Sequence, residues 1–297
     1  MNLAALKLGL GCALFGARSG PVASRAFHAR TGVDAAEAFA TIALAAEAGV
    51  TLADTSAQWG DSESVLGQVL PSQPPFSIIT KTAPIAGGVE AVERRARASL
   101  DHLGQSRARG LVVHDAADLL GPDGPALWTR LRRLKDEGLF EAIGFSACAC
   151  DDPVGLARRF QPDIVQVPLS LLDQRLIVSG ALAELAATGV EVHLRSIFVQ
   201  GLMFLPGHDL PVEARDLAPG LSRLRRLVAE AGADPLRIAL GFALSRPEAA
   251  RVIVGVSSPR ELRAILAAAV GAPPELDWAA FRAATPCPQA RPVCAAA

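Results

Sequence analysis

Three β-rich runs end in side chains that carry or exchange protons. TLADTS (51–56) supplies Asp54, SIITK (77–81) supplies Lys81, and ARGLVVHD (108–115) supplies His114. A carboxylate beside an amine shifts the proton affinity of both, and an imidazole nearby adds a third exchanging group. Only three of the 29 basic residues are Lys: Lys7, Lys81 and Lys135. A Lys at this strand end therefore stands out, because Arg does not release its proton near neutral pH. Later runs end in neutral polar groups. Ser146 closes EAIGFS (141–146), Gln166 lies within DIVQVPLS (163–170), and Ser257 closes RVIVGVS (251–257). Each residue alone has an ordinary explanation, Asp54 as a helix cap and His114 as a hydrogen-bonded core histidine. Together they put a carboxylate, an amine and an imidazole on successive strands at one depth. With no Tyr in the sequence, a phenol is excluded from any mechanism.

Eight strand-like runs would hold these groups. The remaining two are LKLGLGC (6–12) and EVHLRSIF (191–198). Several are apolar throughout, as expected of strands covered on both faces. Helical patterns lie between them at 34–50, 62–70, 89–104, 125–138, 179–189, 219–232, 234–248 and 258–271. Asp34 caps the first and Ser62 is of capping type for the second. Strands alternating with helices over this length predict an α/β fold, a single (β/α)8 TIM-type barrel. A doubly wound sheet fits the alternation too, but LGLGCALFG lacks an acidic residue at the distance a dinucleotide-binding turn requires. Residues 1–271 form the expected barrel. Residues 272–297, Pro-rich and ending in Cys-Ala-Ala-Ala, read as a loosely held tail that folding can spare. The loops at 17–33, with Arg18, Arg25, His28 and Arg30 and no acid, and at 199–218 are expected over the C-terminal mouth, where such barrels keep their sites.

Composition narrows the function classes. Half of the 297 residues (51%) are hydrophobic, ample for a large core, and 29 basic residues balance 30 acidic ones. This balance does not fit a protein that coats nucleic acid. No apolar run reaches membrane-spanning length, and the first residues lack the features of a signal peptide, so a cytoplasmic protein without membrane insertion is expected. The five cysteines, an odd number, are expected to be reduced thiols, and Cys148 and Cys150 lack the neighbours that would complete a zinc site.

LADTSAQWGDSESVLGQVL resembles the signature of the aldo-keto reductase family, in which Asp-Thr-Ala precedes Tyr-Gly and Ser-Glu-x-x-Leu-Gly. IITK, SRARGLVVHD, LKDEGLFEAIGFS, DIVQVPLSLLDQR and VHLRSIFVQGLMF continue the likeness in order, over about residues 6–270. The resemblance implies a TIM barrel that binds a nicotinamide dinucleotide at its mouth and moves a hydride between cofactor and a carbonyl or alcohol. Asp54, Lys81 and His114 fall on three of the family's four catalytic positions. The fourth, a Tyr that supplies the proton, falls on Trp59. Ser146 and Gln166 match residues that hold the nicotinamide amide, while an Asn of that group is Ala147 here. Gly255, Ser257 and Ser258 match the phosphate loop, with the helix start behind them expected to be open to an anion. Glu261 lies where an Arg often meets the 2′-phosphate of NADP, so NAD(H) is expected in preference to NADP(H). The family's adenine-gripping pair falls near Ala264 and Ile265, with Arg260 and Arg263 close by.

Three functions follow as expectations. The first is a dinucleotide-binding regulator, impaired in ordinary turnover, with protein partners in bacterial division control. It resembles family homologues that lack the catalytic Tyr, and the terminal Ala-Ala-Ala resembles tags read by bacterial proteases. The second is an active NAD(P)H-dependent reductase or sugar dehydrogenase. The third is a non-redox enzyme using Lys81 and Asp54 for enolisation or elimination.

Overall fold

The computed structural model describes residues 3–16, 33–71, 74–271 and 275–283. Eight parallel strands close into a barrel in sequence order: β1 (Leu8–Gly11), β2 (Leu52–Asp54), β3 (Ser77–Lys81), β4 (Ala108–Val113), β5 (Phe140–Ser146), β6 (Ile164–Pro168), β7 (Glu191–Arg195) and β8 (Arg251–Gly255). β1 pairs with both β2 and β8, and Gly11 is level with Asp54 on one side and Gly255 on the other. The parallel TIM-type barrel expected from the alternation is therefore present, and the doubly wound alternative is not.

The strand periodicity divides the core into two clusters. Leu52, Ile79, Val112, Ala142, Ile164 and Ile253 pack inside the barrel. Their neighbours along the strands, such as Ala53, Ile78, Leu111, Ile143, Val165 and Val252, pack outward in the larger core cluster. Small residues are needed in that interior. A Cβ on Gly144 would lie 2.0 Å from the Ile164 carbonyl oxygen. Continuing the alternation from the inner layer puts Asp54, Lys81, His114 and Gln166 two residues higher and Ser146 four residues above Ala142, at the C-terminal mouth.

The helices are α1 (Leu3–Lys7), α2 (Ala35–Glu47), α3 (Ser62–Val69), α4 (Val89–His102), α5 (Ala117–Leu120), α6 (Gly124–Asp136), α7 (Pro153–Phe160), α8 (Arg175–Val178), α9 (Ala181–Ala187), α10 (Ala218–Glu230), α11 (Pro235–Leu244) and α12 (Pro259–Ala268). Asp34 caps α2 by accepting from the Glu37 N–H. Four features differ from the sequence reading. First, α1 precedes β1, so that Leu6 and Lys7, read as the start of the strand run 6–12, are helical. Second, α7 fills the gap after β5, where no helical pattern was read; Asp152 caps it and Pro153 starts it. Third, Ser62 does not cap α3. It lies in the first turn, and its hydroxyl donates to the Cys12 carbonyl at 2.7 Å. Fourth, residues 275–283, placed in the loosely held tail, pack on the barrel. Phe281 is buried, Gln174 Nε2 donates to the Trp278 carbonyl at 2.7 Å, and Ala283 N–H donates to the Leu172 carbonyl at 3.0 Å. Trp278 and Phe281 give this segment the apolar surface that its Pro-rich surroundings lack.

The rest of the tail, 284–297, and the Arg-containing stretch 17–32 lie outside the described residues. Cys12, Cys148 and Cys150 are free thiols. Among the described residues, no helix is long and apolar enough to cross a membrane, and no His, Cys, Asp and Glu side chains group to hold a metal ion.

Candidate active site at the barrel mouth

Asp54 is the centre of the site. Its two carboxylate oxygens have different partners: Oδ2 accepts from Lys81 Nζ at 2.5 Å, and Oδ1 accepts from Gln166 Nε2 at 2.7 Å. Lys81 also donates to the Thr55 carbonyl at 3.1 Å. All three side chains are buried. Burial holds the Lys81 amine below the usual lysine range, against the raising effect of Asp54.

His114 stands one strand along. Its backbone N–H donates to Thr82 Oγ1 at 3.2 Å, and its Nδ1 lies 2.8 Å from Ser56 Oγ. The Ser56 hydroxyl already accepts from the Gln58 N–H at 3.1 Å, so it is placed to donate to Nδ1 and leave the ring proton on Nε2. Burial, followed by the positive charges of Lys81 and Arg195, pushes the His114 pKa down to about 3. The imidazole is therefore neutral near pH 7.

Trp59 covers both groups. The Lys81 ammonium lies 4.3 Å from the Trp59 ring centroid. The His114 and Trp59 rings meet edge to face, with centroids 5.8 Å apart at 89°. The turn carrying Trp59 is held from below, since Ser62 N–H donates to the Trp59 carbonyl at 3.0 Å. A Cβ on Gly16 would come within 2.0 Å of that carbonyl oxygen, so a side chain there would push the turn away. Glu63, the acid of the Ser-Glu motif, is buried behind the site and accepts from Thr80 Oγ1 at 2.5 Å and Arg95 Nη2 at 2.6 Å. That motif ties α3 to β3 and α4 and so fixes the strand that presents Lys81.

The residues matched to a cofactor form two groups. Ser146 and Gln166 are buried side by side, level with each other across the β5–β6 ladder. The Gln166 Oε1 atom is buried without a hydrogen-bond partner. A buried acceptor beside a serine hydroxyl suits a primary carboxamide, whose NH2 donates and whose carbonyl accepts. Gly255, Ser257 and Ser258 lie apart from these, at the end of β8 and the start of α12. The expectation of an open helix start is corrected here: the Ser257 N–H donates to Glu261 Oε2 at 2.7 Å, and Ser258 Oγ accepts from the Glu261 N–H at 3.3 Å. A Glu in the first turn is drawn to the positive end of its own helix and occupies a donor an anion would use.

A groove of about 480 Å³ runs from this second group to the segment that follows β7. Phe198, Phe204, Leu236, Ala264 and Ile265 line it together with Gly255 and Glu261. The part of the loop 199–218 that reaches it is a 3-10 segment, Val199–Phe204. An apolar slot beside a small residue and an acid fits an adenosine moiety, so the residues present fit a dinucleotide. Arg195 was missed by the sequence reading. It lies at the end of β7, and its Nε donates to Ser146 Oγ at 3.1 Å. Its position at a strand end was a usable signal, but one Arg among many carries none by type.

Residues 7–284 match the model of the Aldo/keto reductase family. An aldo-keto reductase from Mycolicibacterium vanbaalenii is 33% identical over 163 residues, which cover 52% of this chain and 55% of that protein. The chain thus spans about half the length of that curated relative. Among solved structures, the aldo-keto reductase AKR11C1 from Bacillus halodurans, in its holo form, superposes with a TM-score of 0.72 at 20% identity, covering 96% of this chain and 95% of that one. A Pseudomonas aeruginosa protein described as an aldo-keto reductase gives 0.64 at 24% identity, covering 90% and 92%. These structural likenesses concern the fold.

Proposed function

The chain belongs to the aldo/keto reductase family, which uses nicotinamide dinucleotides, and from that premise we propose that it binds NAD(H) at the barrel mouth but is impaired in ordinary redox turnover. The observation that carries this reading is Trp59. Its ring lies over the Lys81 ammonium and against His114, where the family resemblance puts the proton-donating Tyr. An indole N–H donates a hydrogen bond but does not ionise at physiological pH, and there is no Tyr elsewhere to replace it.

When bound, the dinucleotide supplies or accepts a hydride at its nicotinamide ring. Ser146 and the Gln166 amide oxygen would hold the carboxamide of that ring. Gly255 and Ser258 would face the pyrophosphate, and Phe198, Phe204, Ala264 and Ile265 the adenosine. Glu261 suits a ribose with a free 2′-hydroxyl and opposes a 2′-phosphate, which favours NAD(H) over NADP(H). Asp54 fixes the Lys81 amine, and neutral His114 has a ring N–H to donate to a carbonyl oxygen. These groups would orient a carbonyl without transferring the proton it needs.

A binder that turns over slowly is suited to reporting the cofactor pool, which fits a regulator in bacterial division control like the KidO-type family homologues that lack the catalytic Tyr. A second reading, an active reductase or dehydrogenase, draws on the intact Lys81–Asp54 pair with His114 beside it. One preparation separates them: titrate NADH and NADPH by fluorescence, then assay a carbonyl panel. Saturable binding without turnover supports the regulator, and turnover at an ordinary enzymatic rate overturns it.

A further inference from the structure

We infer that Arg195 makes the barrel mouth select the reduced over the oxidised dinucleotide. The inference rests on the reading above, that the carboxamide is held at Ser146 and Gln166.

Val192 and Leu194 of β7 are buried in the outer core, so the alternation turns His193 and Arg195 inward. Arg195 is the last residue of that strand and reaches the mouth beside β5 and β6. Among the described residues, its hydrogen-bond partners are neutral. Nε donates to Ser146 Oγ at 3.1 Å, Nη1 lies 3.4 Å from Ser196 Oγ, and Nη2 lies 3.8 Å from Cys148 Sγ. Among the described residues, no carboxylate comes within 4.0 Å of its guanidinium. The other cation of the mouth is different, because Lys81 is matched by Asp54 at 2.5 Å. With His114 neutral, Arg195 is, among the described residues of the mouth, a cation that no carboxylate faces at salt-bridge distance. The charge is felt across the site: it lowers the proton affinity of both Lys81 and His114.

Nicotinamide differs between its redox states in this same quantity. The oxidised ring is a pyridinium carrying one positive charge, and the dihydro ring is neutral. The carboxamide is bonded directly to that ring. A guanidinium one hydrogen bond from Ser146 therefore lies close to the charge of the oxidised form. In a half-buried site, like charges at such range repel appreciably, whereas the neutral ring meets no such penalty. Arg195 is a specificity-determining residue: it sets which redox state fills the site, and occupancy follows the reduced fraction of the pool.

The experiment measures NADH affinity by fluorescence and NAD+ affinity by calorimetry on wild type, Arg195→Gln and Arg195→Lys, with a melting curve for each. Wild type is expected to bind NADH at least about tenfold more tightly than NAD+, a ratio in the range such a repulsion produces. Arg195→Gln should shrink the ratio toward one by strengthening NAD+ binding, while Arg195→Lys should keep it. A merely structural role would weaken both forms together and leave the ratio alone. An unchanged ratio in Arg195→Gln, with both forms still bound, overturns this inference and leaves the dinucleotide reading standing. Failure of wild type to bind either form overturns both.

Discussion

The Lys81 ammonium faces the Trp59 ring at 4.3 Å, so the one lysine of the mouth is paired with a carboxylate below and capped by an aromatic face above. The acid and the indole face both favour the ammonium, while burial still holds the amine below the usual lysine range. Trp59→Tyr sets an ionisable hydroxyl near an ammonium, which lowers its pKa. The smaller ring also opens space for a carbonyl. Turnover of a simple aldehyde with NADH is expected to rise by at least ~10²-fold, the low end of what a positioned general acid contributes. A variant that binds NADH and stays inert would show that more of the mouth than Trp59 has diverged.

Glu261 should decide between the two dinucleotides. Its carboxylate holds the Ser257 N–H at 2.7 Å at the start of α12, and Glu261 lines the groove. A 2′-phosphate there would meet a like charge and a donor already in use. NADH is expected to bind more tightly than NADPH, and Glu261→Arg should narrow or reverse the preference. Titrating both cofactors against both proteins checks it, and equal affinities in wild type would remove Glu261 from this role.

The barrel was legible because its strands are short, apolar and bounded by polar ends. SIITK was read with the bounds the structure gives β3, and Asp54, Lys81 and Gln166 do meet in one hydrogen-bonded group. What escaped reading did so for physical reasons. α7 is eight residues long and carries both Pro153 and Gly155, the two weakest helix formers, so propensity did not announce it. Ser62 has the type and position of a cap, but its hydroxyl finds the Cys12 carbonyl, a partner 50 residues away that no local pattern reveals. Arg195 gains its meaning from the neutral company it keeps, which only the folded mouth shows. The Glu261 contact was half legible: an acid at a helix start was noted, but its grip on its own Ser257 N–H was not.

The docked segment 275–283 should matter for stability. Phe281 is buried, and Trp278 packs on Phe242 with ring centroids 5.5 Å apart. Phe281→Ala removes a buried aromatic and is expected to cost about 3–5 kcal/mol in chemical denaturation. A loss below about 0.5 kcal/mol, the scale of an ordinary surface change, would return the segment to the dispensable tail.

His114 makes stability depend on pH in a defined direction. Its pKa is about 3 in the folded protein, depressed by burial and by two cations, while an unfolded histidine titrates near 6.5. Between those values the unfolded chain binds a proton that the folded one does not. Stability therefore rises with pH through this window: the penalty is absent above the unfolded pKa and grows as pH falls toward the folded one. Each pH unit well inside the window costs up to about 1.4 kcal/mol. His114→Gln keeps a polar side chain of similar reach but removes the titration. The variant is expected to lose less stability than wild type between pH 6.5 and pH 4.5, measured by urea denaturation at matched ionic strength. Parallel curves for the two proteins would mean that His114 titrates alike in the folded and unfolded states, and the depressed pKa assigned to it in the mouth would be wrong.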